Sequence, residues 1–385
     1  MQKEKLLYIH HSGNFGGAPR SLSYLLKNID HNIYKVKLIN IRKKGPINKF
    51  FKELCNKFNI EFEIVEGVMP FHGSTVALKS IKHLLINMVF VFPSFLKAFR
   101  VLKREEPNII HLNSTCLFVF AIASKLVNKD IKVIAHVREP LRNSISGRIT
   151  RFFVKKYCDG LVAISNYDLS TLSIRKTKSQ ISSVVIHNFV DELDIPLGLE
   201  KDFSLHERLD IPRKAIVFLY LARFAKGNGW EELISVAENV CESNSQFHFV
   251  LVGAHKEEEL NYIKNTNIHL LLFQKDIKSL LLNSDVFICP FTEPHFSRGI
   301  IEASYSSLPV ISSNISSVSE LVIHNKTGFL YDDKAELISY ISKLGSNKNL
   351  RENMGINANK FAKENFNLKI QSNKTFSFYR KILEK

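Results

Sequence analysis

The sequence predicts an α/β protein of two doubly wound domains, and three observations carry that expectation. With 385 residues the chain is too long for one ordinary domain and suits two of roughly 150–200 residues. Short β-branched runs alternate with longer helical patterns along most of it, the mark of a parallel sheet with helices on both faces. The alternation breaks once, in a polar stretch over 190–212 that carries Pro196 and Pro212, and then restarts. The expected division is therefore 1–192, 193–365 and a last helical segment over 366–385. No internal repeat or low-complexity tract interrupts it.

In order, strands are expected at 5–10, 34–41, 60–65, 108–112, 131–137, 160–164 and 183–187, with helices near 18–28, 46–58, 75–104, 115–127, 142–157 and 167–176. After the break, strands are expected at 215–221, 247–253, 267–271, 285–289 and 309–311. Their helices lie near 229–242, 256–264, 276–283, 298–307, 318–324 and 334–344. Ligands of such sheets sit at the carboxyl ends of strands, so the strand-to-helix loops are where chemistry is sought. The first of these loops reads His11-Ser12-Gly13-Asn14-Phe15-Gly16-Gly17-Ala18. Glycines let backbone approach a ligand, and the following helix offers free N–H groups. The spacing is neither a dinucleotide fingerprint nor a P-loop, and a simple tight turn explains it equally well.

Five widely spaced cysteines with no C-x-x-C pair argue for a reducing compartment, and Met1–Lys5 begins nothing like a signal peptide. The expected location is the cytoplasm. The net charge of +16 is uneven: residues 1–190 hold 30 Lys and Arg against 12 Asp and Glu, and residues 191–385 hold 23 against 25. Either the basic half is simply well solvated, or it meets an anion such as a lipid headgroup surface, an acidic glycan or RNA. The run 84–96 (LLINMVFVFPSFL) is apolar and flanked by Lys79, Lys82, Lys97, Arg100, Lys103 and Arg104. Thirteen residues are too few to cross a bilayer core of ~30 Å, and Pro93 is expected to kink a helix. A buried core helix and a helix lying in the membrane interface are the two readings.

The most informative segment is 285–311, DVFICPFTEPHFSRGIIEASYSSLPVI. A strand ends at Cys289-Pro290, Glu293 lies on the next loop, and a helix from near Ser297 carries Arg298, Gly299 and Glu302. The positive end of that helix faces the loop and suits an anion. A diphosphate there, with carboxylates on sugar hydroxyls, explains the residue types; two surface glutamates are the plain alternative. The segment resembles the signature of the retaining glycosyltransferases of family 4, whose fold is GT-B: two Rossmann-like domains facing across a cleft. The shared pattern is the loop Glu293, then Glu302-Ala303, Ser306-Ser307 and Pro309-Val310-Ile311, with one extra residue before Glu302. Leu221-Ala222-Arg223, Lys226-Gly227, Val252-Gly253, Glu320, His136, Ser165 and 186–191 (IHNFVD) recur in the family's order.

The resemblance implies a retaining, metal-independent transfer of a sugar from a nucleoside-diphosphate sugar to a glycan or lipid-linked acceptor. The Lys-, Asn- and Ile-rich composition points to an AT-rich bacterial genome, and with it the expected role is bacterial surface polysaccharide synthesis. Arg223 and Lys226 would hold the donor diphosphate with Gly253 and the helix start at Ser297, Arg298 and Gly299. Glu302 would bind the ribose, Glu293 the donor hydroxyls, and Gly16-Gly17 would approach the diphosphate from the other domain. His136 would position the reacting sugar, and the helix 366–385, with Phe376, Phe378, Tyr379 and Ile382 at helical spacing, would return to the first domain. The donor is a substrate, and no cofactor is expected. No H-x-x-x-H, H-E-x-x-H or D-x-D occurs, so no metal is expected either. An anionic membrane surface on the inner face of the plasma membrane is the expected partner. Nucleic acid is not, because the phenylalanines follow core patterns rather than an exposed platform. Other readings are a nucleotide-sugar epimerase of the same fold, a non-catalytic basic protein for an anionic polymer, and a degenerate, inactive transferase.

Overall fold

The computed structural model describes residues 3–72, 81–173, 181–196, 200–262 and 265–385. The chain divides into two compact units, Met1–Asn188 with Leu368–Lys385, and Phe189–Asn367. Unit 1 runs β1 (Glu4–His10), α1 (Gly17–Lys27), β2 (Tyr34–Asn40), α2 (Ile47–Lys57), β3 (Glu61–Ile64), α3 (Ile81–Glu105), β4 (Ile109–Leu112), α4 (Phe118–Val127), β5 (Lys132–Val137), α5 (Ile145–Tyr157), β6 (Gly160–Ala163), α6 (Asn166–Ser170) and β7 (Ser182–Val185). Its seven strands are parallel in the order β3-β2-β1-β4-β5-β6-β7. The order reverses between β1 and β4, the place where doubly wound sheets open a crevice at their carboxyl edge.

Unit 2 repeats the plan. It contains α7 (Ser204–Leu209), β8 (Ile216–Leu221), α8 (Trp230–Ser243), β9 (Phe247–Ala254), β10 (Ile268–Leu272), α9 (Lys278–Leu282), β11 (Val286–Cys289), α10 (Arg298–Tyr305), β12 (Val310–Ser313), β13 (Gly328–Tyr331), α11 (Lys334–Ser346) and α12 (Lys348–Asn365). Six parallel strands lie in the order β10-β9-β8-β11-β12-β13, with the reversal between β8 and β11. Strands covered on both faces read as unbroken apolar runs rather than alternations. β9, with every residue buried, shows the effect. The last helix, α13 (Leu368–Leu383), belongs to unit 1: Phe378 fills the space beside Gly160, where an added Cβ would come within 2.9 Å of its ring.

Several expectations shift. β13, α12 and the short α7 are additional elements; the helix expected at 256–264 is a 3-10 segment over Glu257–Tyr262, and that at 318–324 shrinks to Ser319–Leu321. Residues 75–80 and 174–176 of the expected helices, with Lys79, and residues 263–264 lie outside the described residues. The apolar run 84–96 is part of a longer helix that continues through Pro93. Over Leu84–Glu105 that helix is long and apolar enough to cross a membrane by length and composition, so the limit drawn from thirteen residues does not hold. The buried-core reading fails as well. Ala98, Val101 and Leu102 join the core of unit 1, whereas Leu85, Phe92 and Val89 are 61%, 65% and 70% exposed.

Candidate functional site

In unit 2 the sheet reversal lies between β8 and β11, and the loops leaving those two strands are hydrogen-bonded to each other. The N–H groups of Thr292 and Glu293 both donate to the Gly227 carbonyl, at 3.0 and 3.2 Å, and Thr292 Oγ1 donates to the Lys226 carbonyl at 3.3 Å. Glu293 thus packs on Gly227, where an added Cβ would meet Glu293 Oε2 at 3.0 Å. A side chain at 227 would have to displace the carboxylate. Two neighbours hold the frame rather than face a ligand. Asn228 Nδ2 donates to the Arg223 carbonyl at 2.8 Å, and Gly229 (φ +68°) lies so close to the Pro290 carbonyl that a Cβ would sit 1.7 Å from its oxygen. Gly253 (φ +152°) is pressed against the Ala222 carbonyl, with only 1.8 Å for a Cβ. Both glycines sit where other residues are strained and have no room.

That frame leaves Arg223 and Lys226 exposed at the carboxyl edge. The charge of Arg223 reaches His295 on the β11–α10 loop. The imidazole of His295 is held below its ordinary range first by the crowding around its ring and second by that guanidinium, although the residue keeps an exposed face. Helix α10 starts at the same loop with Ser297 as N-cap, its side chain accepting from Ile300 N–H at 3.4 Å. Gly299 lets the helix start close against Phe287, with 2.8 Å for a Cβ. Glu302 lies in the second turn and is buried. The structure therefore gathers Arg223, Lys226, Glu293 and the positive end of α10 around one strand reversal, with Gly253 beneath them and Glu302 a turn behind.

Unit 1 presents a different chemistry at its own carboxyl edge. In the β1–α1 loop, Gly13 is structural, since a Cβ there would meet the Lys44 carbonyl at 2.5 Å. Among the described residues nothing lies within 4 Å of a Cβ built on Gly16 or Gly17, so these two border open space in front of the α1 N–H groups. His136 is the last residue but one of β5 and is buried. Its Nδ1 meets His111 Nε2 at 3.2 Å, and His111 Nδ1 meets the Tyr379 hydroxyl of α13 at 2.5 Å. Tyr379 in turn lies 3.3 Å from the Tyr8 hydroxyl. The four side chains form a continuous buried chain, and its last atom, His136 Nε2, has no hydrogen-bond partner among the described residues. A proton donated by Tyr379 to His111 sets His111 Nε2 as donor to His136 Nδ1, which leaves His136 Nε2 carrying a hydrogen.

Burial first and the Arg138 charge second push His111 down to about 3. Burial, Arg138 and His111 in that order hold His136 well below its usual range. Both rings are therefore neutral near pH 7, so His136 can orient a hydroxyl but does not serve as a resident cation. On the neighbouring strand His10 Nδ1 is 2.9 Å from Asn113 Nδ2, and Arg138 Nη2 donates to Asn113 Oδ1 at 2.6 Å. Tyr8, His10, Asn113 and Arg138 escaped the sequence reading, and Tyr379 was expected only on the packing face of the last helix. Tyr379 stands 268 residues from His111, and no local pattern joins them. Among the described residues no group of three or more His, Cys, Asp or Glu could hold a metal ion.

Residues 202–361 match the family model described as "Glycosyl transferases group 1". An "Uncharacterized glycosyltransferase" of Methanocaldococcus jannaschii is 26% identical over 397 residues, covering 96% of this chain and 88% of its own. A "Capsular polysaccharide biosynthesis glycosyltransferase" of Staphylococcus aureus is 27% identical over 43% of this chain and 46% of its own. Among solved structures, Anabaena HepE in complex with UDP-glucose superposes with a TM-score of 0.78 at 19% identity, over 98% of this chain and 99% of that one. The fold is GT-B. Within it, the segment 202–361 that matches the group 1 glycosyl transferase model holds Arg223, Lys226, Glu293 and Glu302.

Proposed function

We propose that the protein is a retaining, metal-independent glycosyltransferase that moves a sugar from a nucleoside-diphosphate sugar to a glycan or lipid-linked acceptor during surface polysaccharide synthesis. The observation that carries this reading is the pair of exposed cations, Arg223 and Lys226, beside the start of α10 at the sheet reversal of unit 2. As the bond from the anomeric carbon to the diphosphate breaks, negative charge grows on the leaving oxygen. Fixed positive groups aimed at it lower the barrier without reorganisation. Arg223, Lys226 and the N–H groups of Arg298 and Gly299 are those groups. Glu302 takes the ribose, Glu293 the donor hydroxyls, and His136 Nε2–H a hydroxyl of the reacting sugar. Gly16 and Gly17 leave room for backbone to approach the diphosphate. Retention follows if the acceptor oxygen enters on the face from which the diphosphate leaves, its proton passing to the departing phosphate oxygen.

Uridine is the first base to test, because Anabaena HepE is described with UDP-glucose and with UDP. A cytoplasmic site on the inner face of the plasma membrane is part of the proposal. The exposed apolar side of α3 with Lys97, Arg100, Lys103 and Arg104 suits an anionic lipid surface. The test is titration calorimetry of the purified chain with UDP and other nucleoside diphosphates, with and without EDTA. Binding of one nucleotide, indifferent to EDTA and lost in Arg223→Ala, is the expected result. No binding by any nucleotide to folded protein would remove the proposal.

A further inference from the structure

Unit 1 holds a concave feature that the donor chemistry leaves unused. A cavity of about 550 Å³ opens between the loop after β5, the start of α5 and the end of α6. Arg142, Arg148, Arg151, Tyr167, Thr171 and Ser173 line it, and among the described residues none of its lining is acidic. Its walls are tied together. Arg151 donates from Nε to the Thr171 carbonyl at 3.1 Å, and from Nη1 and Nη2 to the Arg142 carbonyl at 3.0 and 2.7 Å. Thr171 Oγ1 accepts from Leu141 N–H at 3.0 Å and donates to the Asp168 carbonyl at 2.7 Å. Lys155 Nζ closes the rim on the Ser173 carbonyl at 2.7 Å.

The charge arrangement is unfavourable as it stands. Arg148, Arg151 and Lys155 are three and four residues apart, so three like charges run down one face of α5, a spacing that destabilises a helix. Burial first, and then the charge of Arg148, hold Arg151 below its ordinary range; burial and then Arg151 do the same to Lys155. Among the described residues no carboxylate forms an ion pair with Arg142, Arg148, Arg151 or Lys155. An anion in the cavity would neutralise the row, and arginines on a fixed frame match phosphate oxygens in shape as well as charge. The β5 loop that builds the wall leaves the same strand end that carries His136.

We infer that this cavity is a subsite for a phosphate or diphosphate group carried by the acceptor. The acceptor assignment rests on the transferase reading; the anion binding does not. Arg223→Ala protein, in which the proposed donor site is disabled, isolates the cavity. Inorganic pyrophosphate titrated into it should bind, and adding Arg142→Gln with Arg148→Gln should weaken binding about a hundredfold, roughly tenfold per guanidinium. Circular dichroism checks that the variants fold; Arg148 is exposed, and Arg151, which ties the walls, is left in place. No pyrophosphate binding, or binding indifferent to the two glutamines, overturns the subsite. Farnesyl diphosphate binding more tightly than pyrophosphate supports a lipid-linked acceptor, and equal affinity overturns that assignment in favour of a free anion. If the glutamines lower binding to phosphatidylglycerol vesicles and leave pyrophosphate unchanged, the arginines belong to a membrane face and the subsite is overturned. UDP binding by Arg142→Gln/Arg148→Gln protein with Arg223 intact reports the transferase reading separately.

Discussion

The two sheets share one strand order around their reversals, yet their carboxyl edges carry opposite chemistry. In unit 2 the reversal bears exposed basic side chains, Arg223 and Lys226, on loops fixed by Gly227, Gly229 and Gly253. In unit 1 it bears His10, His111 and His136, buried and held neutral. Topology chooses where a site forms, and the side chains decide whether it offers charge or directed hydrogen bonds. A neutral histidine wired through Tyr379 suits a hydroxyl, whereas fixed cations suit a diphosphate.

Acid is the strongest way to break the contrast. His111 carries a folded value of about 3 against an unfolded one near 6.5, so between those limits the unfolded chain binds a proton that the folded chain refuses. Stability is full above pH 6.5 and falls as the pH drops, by about 1.4 kcal/mol per unit from this group, or about 4 kcal/mol by pH 3.5. His10 and His136 act in the same direction. Denaturant titrations across this range should show the slope, and His111→Gln should reduce it by one proton; an unchanged slope would mean that His111 is charged in the fold. Next in size is Arg223→Ala, expected to lower kcat by on the order of a hundred- to a thousandfold while leaving that acid slope alone, as rate and unfolding measurements on one preparation would show. The smallest effect belongs to Tyr379→Phe. It leaves His111 Nδ1 without its partner at a stability loss of about 1–3 kcal/mol. It should also lower kcat more than it raises KM, and ¹⁵N spectra of the imidazoles should show His136 losing its single tautomer.

The alternation of strands and helices was readable because parallel strands buried on both faces are continuous apolar runs. Arg223 with Lys226, and Glu293 with Glu302, could be named as candidates because each pair lies on one short stretch of chain. α12 stayed hidden for a physical reason. Its buried face is Met354, Gly355, Ala358 and Ala362, and Gly355 lies where a Cβ would come within 2.0 Å of the Ser307 carbonyl. Packing by small residues leaves no hydrophobic period to find. α3 misled in the opposite sense, since an apolar run carries no sign of which side the core covers. The hydroxyl chain through Tyr8, Tyr379 and His111 was invisible because its members come from opposite ends of the sequence.

The return of α13 to unit 1 has a bearing on synthesis. Residues 368–385 leave the ribosome after all of unit 2, so the unit begun first is finished last. Until then Gly160 lacks the Phe378 ring beside it, His111 lacks its hydroxyl, and Tyr8 waits for a partner 371 positions away. The tuned histidine edge is therefore assembled only once the later domain exists, and a nascent chain stopped short of α13 carries the cations of Arg223 and Lys226 but not a finished His136.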